Sequence, residues 1–452
     1  MAKYLIVGAG VGGLFSARAL TKAGIPSSEI IILEKEQTVG GKCRSYHDPH
    51  HLGVTAEYGA ALVPHNAGLV LDAINEKKQR LKPPLATRLS STHFVQKFRA
   101  QNKQARLAFI TRLLKEISHF LYHVHQYENK KRAQHPLPSL YHLSFSEFSA
   151  QQKYQLLNDL LRPLITGFGY GHLDSCPCFA IFEYLGYSTL AGLLPFLIGR
   201  PAFYTLQDGF QSLLKAMAED YCVIRQASIQ HIQRHKGIRI EYQHEGRSRT
   251  VEGEHLILAL SPLQWPSLNF ELTAIEQECL DNLSYYRYPV LLCKLKAYPA
   301  QHEFFETGLK PNTFGQLALI TSHDRRVNPS EGRLCTAYVN LPPGPSVYTS
   351  AQQQYLFEEL AQISEGVEII EHHCWEDYFS FLPWDLRCQL ASQQFSPETA
   401  TAYVNSCLSF ESVACIARQA TELIATQLAR PLTQVSLRER MQRIKILMNS
   451  RR

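Results

Sequence analysis

Six residues near the N-terminus, Gly8-Ala9-Gly10-Val11-Gly12-Gly13, carry the spacing GxGxxG. That spacing serves to hold a pyrophosphate. Gly8 permits a tight turn, Gly10 lets backbone approach the phosphates, and Gly13 allows close helix–strand packing. The N-terminus of the helix that follows adds unpaired N–H groups and a positive dipole end, both suited to phosphate. The motif alone is common in ordinary turns. Here it follows an apolar strand, Lys3 to Val7, and opens a helix continuing through Leu14 to Lys22, which is the context it requires. Glu34 stands 21 residues beyond Gly13, at the end of a second apolar strand, Ile30 to Leu33. A carboxylate there accepts hydrogen bonds from an adenosine ribose and disfavours a 2′-phosphate, leaving NAD or FAD as the ligand.

The residues that follow choose between the two. Glu34-Lys35-Glu36 leads into Val39-Gly40-Gly41-Lys42-Cys43-Arg44-Ser45, and then comes Glu57-Tyr58-Gly59-Ala60-Ala61. This succession resembles the flavin amine oxidase, phytoene desaturase and protoporphyrinogen oxidase group. The resemblance implies noncovalent FAD. It puts Lys35 among the cofactor-binding residues, Gly41, Lys42 and Arg44 on the phosphate side, and Gly59, Ala60 and Ala61 on the isoalloxazine side. Asp208-Gly209-Phe210-Gln211-Ser212-Leu213, with Ile229 and Ile232 downstream, resembles the group's second glycine-led helix and adenine-side strand. Gly167 to Gly171, Pro177, Tyr184, Trp375, Tyr378 and Phe379 look like the fungal β-cyclopiazonate dehydrogenase-like branch. Tyr403 to Val413 resembles that branch's final flavin segment, which implies that Asn405, Ser406 and Val413 lie at the flavin. The group has glycine where Asn405 stands. Asn is the non-glycine residue that best tolerates φ > 0, so a left-handed conformation is expected at this position. The likeness spans about residues 3 to 430.

The implied activity is that of an FAD-dependent oxidoreductase moving hydride from a small hydrophobic, amine or aromatic substrate to flavin N5. A second reading on the same fold is a non-catalytic binder like the Rab GDP-dissociation inhibitors. The complete phosphate cradle argues against it, because a pure binder need not retain one.

Lys294 lies in an expected strand, Tyr288 to Tyr298, near where amine oxidases place a lysine beside flavin N5. It is the candidate catalytic residue, although strand alternation also allows it to face solvent. Cys407 lacks the local motif of a flavin-attaching cysteine and reads as a buried thiol. His119 and His123 have i, i+4 spacing but point away from the Ile110/Ile117/Leu121 side of their helix, so they read as solvated. His372-His373-Cys374 and the group His47, His50, His51 also lack ligand spacing, and no metal is expected.

These residues need a scaffold. The 452 residues suggest two domains. The strand–helix–strand opening, with later strand-rich stretches, implies an α/β fold: a Rossmann-like parallel FAD-binding sheet with an inserted mixed helical and antiparallel-sheet substrate domain. The expected division is 1–75, 200–262 and 395–430 for the cofactor and 76–199 and 263–394 for substrate. Residues 69 to 187 read as mostly helical. Between Leu107 and Val124, Ile110, Leu113, Leu114, Ile117, Leu121 and Val124 share one face at 3.6-residue spacing, which predicts a buried face. Gln126 to Pro138 reads as a solvated connection, and the apolar stretch Phe179 to Gly199 as a buried or substrate-lining segment. Residues 431–452 read as a basic amphipathic helix (Arg438, Arg440, Arg443 and Lys445 beside Leu437, Met441, Ile444 and Met448) that could meet a membrane surface or a protein.

A net charge of +6 over this length is too small for a dedicated nucleic-acid binder. Eleven cysteines without a CxxC pair fit reduced thiols. With no evident leader or membrane span, the expected location is cytoplasmic.

Overall fold

The computed structural model describes residues 2–50, 53–83, 85–88, 92–133, 135–186, 203–323 and 331–428. Strand β1 (Ala2–Val7) is apolar and almost wholly buried, flanked by β2 (Ile30–Leu33) and β12 (Arg247–Leu258), both parallel to it. Val7 sits beside Leu33 and Leu258, so all three strands end at one edge, where the glycine turn begins. Parallel open sheets place ligands in the crevice at that carboxyl edge. β9 (Cys222–Ile224) pairs with β2, and β18 (Thr401–Tyr403) with β12, both in parallel. An antiparallel meander of β10 (Ser228–Gln233), β11 (Ile238–His244) and β12 completes the sheet, in the order β10-β11-β12-β1-β2-β9 with β18 beside β12.

A second sheet has the order β17-β13-β16-β15-β14-β7, with strands Val367–Phe381, Ser284–Leu295, Arg333–Val339, Leu317–Ser322, Gln301–Phe304 and Ala86–Arg88. It is antiparallel except where β14 meets β7. A hairpin of β3 (Ser45–His47) and β4 (Thr55–Glu57) and a three-stranded sheet of β5 (Val63–Pro64), β8 (Phe203–Leu206) and β6 (Leu81–Lys82) lie outside the two large sheets. The helices are α1 (Val11–Lys22), α2 (Gly68–Glu76), α3 (His93–Arg99), α4 (Lys103–Arg132), α5 (Phe145–Gln152), α6 (Gln155–Thr166) and α7 (Cys178–Tyr184). They continue with α8 (Phe210–Ala218), α9 (Ala274–Asp281), α10 (Glu306–Leu309), α11 (Ser350–Ile363), α12 (Trp384–Ser392) and α13 (Val413–Gln427). The mixed α/β class read from the sequence holds.

One core packs α1, α8 and α13 on the parallel sheet, through Leu14, Phe15, Leu213, Ile416 and Ala420. Another joins α4–α7 to the second sheet, through Phe120, Tyr127, Phe148, Phe182, Tyr286 and Tyr288. Here the helix reading needs correction. α4 runs on to Arg132, so Gln126–Arg132 is helix rather than a connection. Its buried residues are Glu116, Phe120, His123, Val124 and Tyr127, whereas Ile110 and Leu114 are 42% and 57% exposed. Spacing identifies an apolar side, but the arrival of α6 and α7 decides which side is covered. His123 is buried too, with Nδ1 3.0 Å from the Tyr141 hydroxyl, and is not a solvated residue. His51, residues 187–199 and the C-terminal segment 431–452 lie outside the described residues.

Candidate cofactor and substrate site

The glycine turn behaves as its spacing requires. Gly8 has φ +101° and donates its N–H to the Leu33 carbonyl at 2.8 Å. A Cβ on Gly13 would sit 1.9 Å from the Gly8 oxygen, and one on Gly12 2.8 Å from the Val404 oxygen, so both helix positions need glycine for contact. Leu14 makes the first helical hydrogen bond, to the Gly10 carbonyl at 3.1 Å. The N–H groups of Val11, Gly12 and Gly13, in the helix's first turn, therefore have no partner within it. The second glycine pair docks on the first: Gly40 N–H bonds the Ala9 carbonyl at 3.0 Å, and Gly41, at φ +55°, faces Gly10.

Glu34 is buried at the end of β2, its carboxylate accepting N–H groups from Ala9 at 2.7 Å and Glu36 at 3.0 Å. Those bonds orient the carboxylate and leave lone pairs for ribose hydroxyls. Ala227 N–H bonds the Glu34 carbonyl at 2.9 Å, which seats the start of β10, with Ile229 two residues on, beside it. Lys35 is exposed. The Arg44 guanidinium lies 4.0 Å from the Glu36 carboxylate and 6.0 Å over the Trp375 ring. Lys42 is used in a way the motif did not anticipate. Its ammonium bonds Glu411 at 2.9 Å and the carbonyls of Tyr378, at 2.9 Å, and Asp377. Burial pulls its pKa down, but Glu411 and Asp377 outweigh that and hold it above the ordinary value.

These features fit an ADP moiety: a helix N-terminus open to phosphate, a ribose acid fixed in orientation, and glycine wherever backbones meet. A Cβ on Gly10 would sit 3.6 Å from Gly41 Cα, an ordinary contact, so alanine is tolerated. Valine's extra carbons would crowd the space between the helix start and Gly41. Gly10→Val is expected to weaken FAD binding at least 100-fold, about 2.7 kcal/mol, with an unchanged circular dichroism spectrum. Apo-protein titration with FAD checks this, and undiminished affinity would move the phosphate site elsewhere.

From the glycine turn opens a cavity of about 1110 Å³. It exceeds the usual ligand pocket of roughly 300–1,000 Å³, leaving room for a flavin ring and a substrate together. Val11, Lys42, Gly59, Ala60, Ala61 and Val413 all line it. Gly59 is obligatory, because a Cβ there would lie 1.8 Å from the Lys42 oxygen. Val413 opens α13, capped by Ser412, whose Oγ accepts Cys415 N–H at 3.2 Å. The positive end of that helix faces the cavity. The second sheet forms a wall with alternate residues, as the two-residue period demands: His302 and Phe304 from β14, Leu319 and Thr321 from β15. Tyr288, Tyr338 and Tyr378 extend it, and Tyr170 and Tyr184 face in from the helical side. Tyr170 stacks on Tyr378 with centroids 6.1 Å apart, and Tyr184 on Phe410 at 4.7 Å.

His323, which no motif announced, also lines this cavity. The Thr336 hydroxyl donates its proton to the Glu57 carbonyl at 3.0 Å, so it turns a lone pair toward His323 Nε2 at 2.8 Å. Nε2 must therefore carry the proton of the neutral ring, leaving a lone pair on Nδ1. Burial, with His302 and Lys82 adding to it, holds His323 well below the ordinary imidazole pKa. Glu57 itself is pushed up to about 8 by burial, against the pull of Ser45, the Phe210 N–H and Lys82.

Two readings of single residues are corrected. Lys294 is neither solvent-facing nor on the cavity wall: it is buried, and its ammonium lies 3.3 Å from Asp48. It shares a strand face with Tyr288, but the β3–β4 hairpin covers the far end of β13, where Leu292 packs on Val54 and Ala56. Asn405 has φ −154° and ψ 173°, an extended conformation without strain. Its side chain accepts Leu408 N–H at 3.3 Å and donates to the Leu260 carbonyl at 3.3 Å. Replacing it with alanine or glycine should therefore cost about 1–2 kcal/mol through the lost cap and hydrogen bond. A denaturant titration in which glycine stabilises the protein would contradict this. Ser406 is buried, its Oγ 3.2 Å from that of Ser380, and Cys407 is a buried free thiol.

Residues 11–271, more than half of the chain, match the model of the flavin-containing amine oxidoreductases, and the protein belongs to that family. It is an FAD-dependent oxidoreductase. The CLA-producing fatty acid isomerase from P. acnes has the same fold, with a TM-score of 0.74 at 20% identity over 94% of this chain and 98% of that one. Putrescine oxidase bound to putrescine follows at 0.66 and 15%, covering 95% and 99%, and cyclohexylamine oxidase from Brevibacterium oxydans IH-35A at 0.64 and 12%, covering 95% and 100%. No curated protein sequence matches the chain. Among the described residues no group of side chains could hold a metal ion, and no helix is long and apolar enough to cross a membrane.

Proposed function

We propose that the protein oxidises a small, largely hydrophobic amine or aromatic molecule. The observation that carries this reading is the shared cavity: Gly59 to Ala61 and Val413 at one side, a tyrosine-rich chamber at the other. Bound FAD supplies the hydride acceptor. Gly8 to Gly13 and Gly41 hold the phosphates, with Arg44 and Lys35 as nearby cations; Glu34 holds the ribose, and the start of β10 at Ile229 borders the adenine. Asn405 and Ser406 shape the last turn below the flavin. The Nδ1 lone pair of the neutral His323 ring accepts a hydrogen bond from the substrate's amino group and orients it in the chamber. The division into a cofactor domain (1–75, 200–262, 395–430) and a substrate domain (76–199, 263–394) accords with the two sheets. The tyrosine-rich chamber supports a place near the β-cyclopiazonate dehydrogenase-like branch. Eleven free cysteines fit a reducing compartment such as the cytoplasm.

Acid or heat should release a yellow chromophore from the purified protein, because the flavin is held without a covalent bond. Anaerobic bleaching then screens amines, indoles and phenols as substrates. A colourless protein that takes up no added FAD would end this reading.

A further inference from the structure

The apolar row on the N-terminal half of α4 is largely exposed among the described residues. Leu107, Ile110 and Leu114 are 68%, 42% and 57% exposed. At 100° per residue they occupy a sector of about 60°, which Lys103 shares, with Arg106 and Lys115 to either side. The opposite side of the helix is clasped, since Phe94 and Phe98 of α3 both meet Phe109 edge-on at 5.5 Å. The row is thus held outward by packing behind it.

The sequence leading into this half of the helix is also basic. From Lys77 to Lys115 the sequence has eleven Lys and Arg residues and no Asp or Glu, against a net charge of +6 for the whole chain. Lys77, Lys97 and Arg112 find carboxylates elsewhere in the fold, at Asp220, Asp159 and Glu116. Lys103, Arg106 and Lys115 are exposed and form no ion pair among the described residues. A second copy is a poor occupant, because an isologous contact sets each patch against its own like charges. An anionic surface that is apolar beneath satisfies both features.

We propose that the N-terminal half of α4 docks on an anionic lipid bilayer. Leu107, Ile110 and Leu114 enter the acyl boundary while Lys103, Arg106 and Lys115 sit among the lipid phosphates. The surface belongs to α4, and the inference does not depend on which substrate the cavity takes.

Co-sedimentation of the FAD-loaded protein with phosphatidylcholine vesicles, with and without phosphatidylserine, tests it. Binding is expected only with phosphatidylserine, and should weaken as salt rises. At roughly fivefold per cation, the triple change Lys103→Glu, Arg106→Glu, Lys115→Glu should weaken it by about 100-fold or more. Leu107→Gln, Ile110→Gln and Leu114→Gln together should weaken it at least tenfold, with melting temperature and flavin content unchanged because all three sites are exposed. Absent or salt-insensitive binding of the unmodified protein to phosphatidylserine vesicles overturns the proposal. So does undiminished binding by either variant, or conversion of a dimer to a monomer by the glutamine variant, which would assign the row to a second copy.

Discussion

Replacing Glu183 with glutamine is expected to destabilise the protein by about 3–5 kcal/mol, the usual result of leaving buried charges without their partner. The carboxylate is fully buried on α7 and accepts the Tyr127 hydroxyl at 2.6 Å. Lys131 reaches it at 2.6 Å, Arg387 at 3.3 Å and Arg418 at 3.2 Å. Those groups come from α4, α12 and α13, so one side chain ties the helical layer to the last helix of the cofactor sheet. Burial pushes the Glu183 pKa up, but Lys131, Arg387 and Arg418 outweigh it and hold the carboxyl well below the usual range. A neutral amide would leave three cations around an uncharged group, with Arg387 fully enclosed. Because the folded pKa is depressed, this stabilisation is complete above the ordinary carboxyl value of 4.5 and is lost as pH falls below it. Denaturant titrations of both proteins should differ most at neutral pH and converge in acid. A neutral-pH difference below about 1 kcal/mol would mean that the cations find solvent or other partners.

His323→Gln is expected to slow the proposed amine oxidation by about 10-fold, as loss of one hydrogen bond that positions the substrate would. FAD content should stay the same, since the ring lies on the chamber wall and not in the glycine turn. The hydroxyl chain from Thr336 to the Glu57 carbonyl fixes the tautomer, so Thr336→Val should also lower the rate, by a smaller factor. Since burial depresses the His323 pKa, its ring stays neutral as pH falls through 6.5, and the unmodified enzyme should show no acid limb there. Stability has the same sign: the contribution of the neutral ring is intact above 6.5 and declines as pH drops below that value, where the unfolded chain takes up the proton. Nitrogen NMR of the imidazoles gives a check independent of turnover, and a protonated Nδ1 at this position would refute the assignment.

The physical origins of what could and could not be read in advance differ. Gly8, Gly12 and Gly13 were legible because their requirement is short-ranged. A turn, a helix start and a neighbouring strand leave no room for a Cβ, and spacing along the chain encodes that directly. Glu34 was legible for the same reason, as the end of an apolar strand fixes where its carboxylate points. Gly59 and Val413 came from resemblance, and both border the cavity.

What only the tertiary structure decided are matters of partnership between distant segments. Periodicity found an apolar row on α4, but Ile110 and Leu114 are exposed because α6 and α7 pack against the side bearing Phe120 and Tyr127. Alternation left two sides open to Lys294, and Asp48, 246 residues away, chose a third environment. Asn405 invited a left-handed turn, yet Leu260 supplies the acceptor that holds it extended. Lys42 carried the charge that a phosphate wants, and Glu411 takes it. His323 had no motif at all and acquires its tautomer from Thr336 and Glu57. Local stereochemistry is written in neighbouring residues, so the sequence alone determined the glycine turn and the strands around it. The protonation and pairing of a buried side chain depend on groups that only the folded chain brings within 3 Å or so, and those the tertiary structure had to decide.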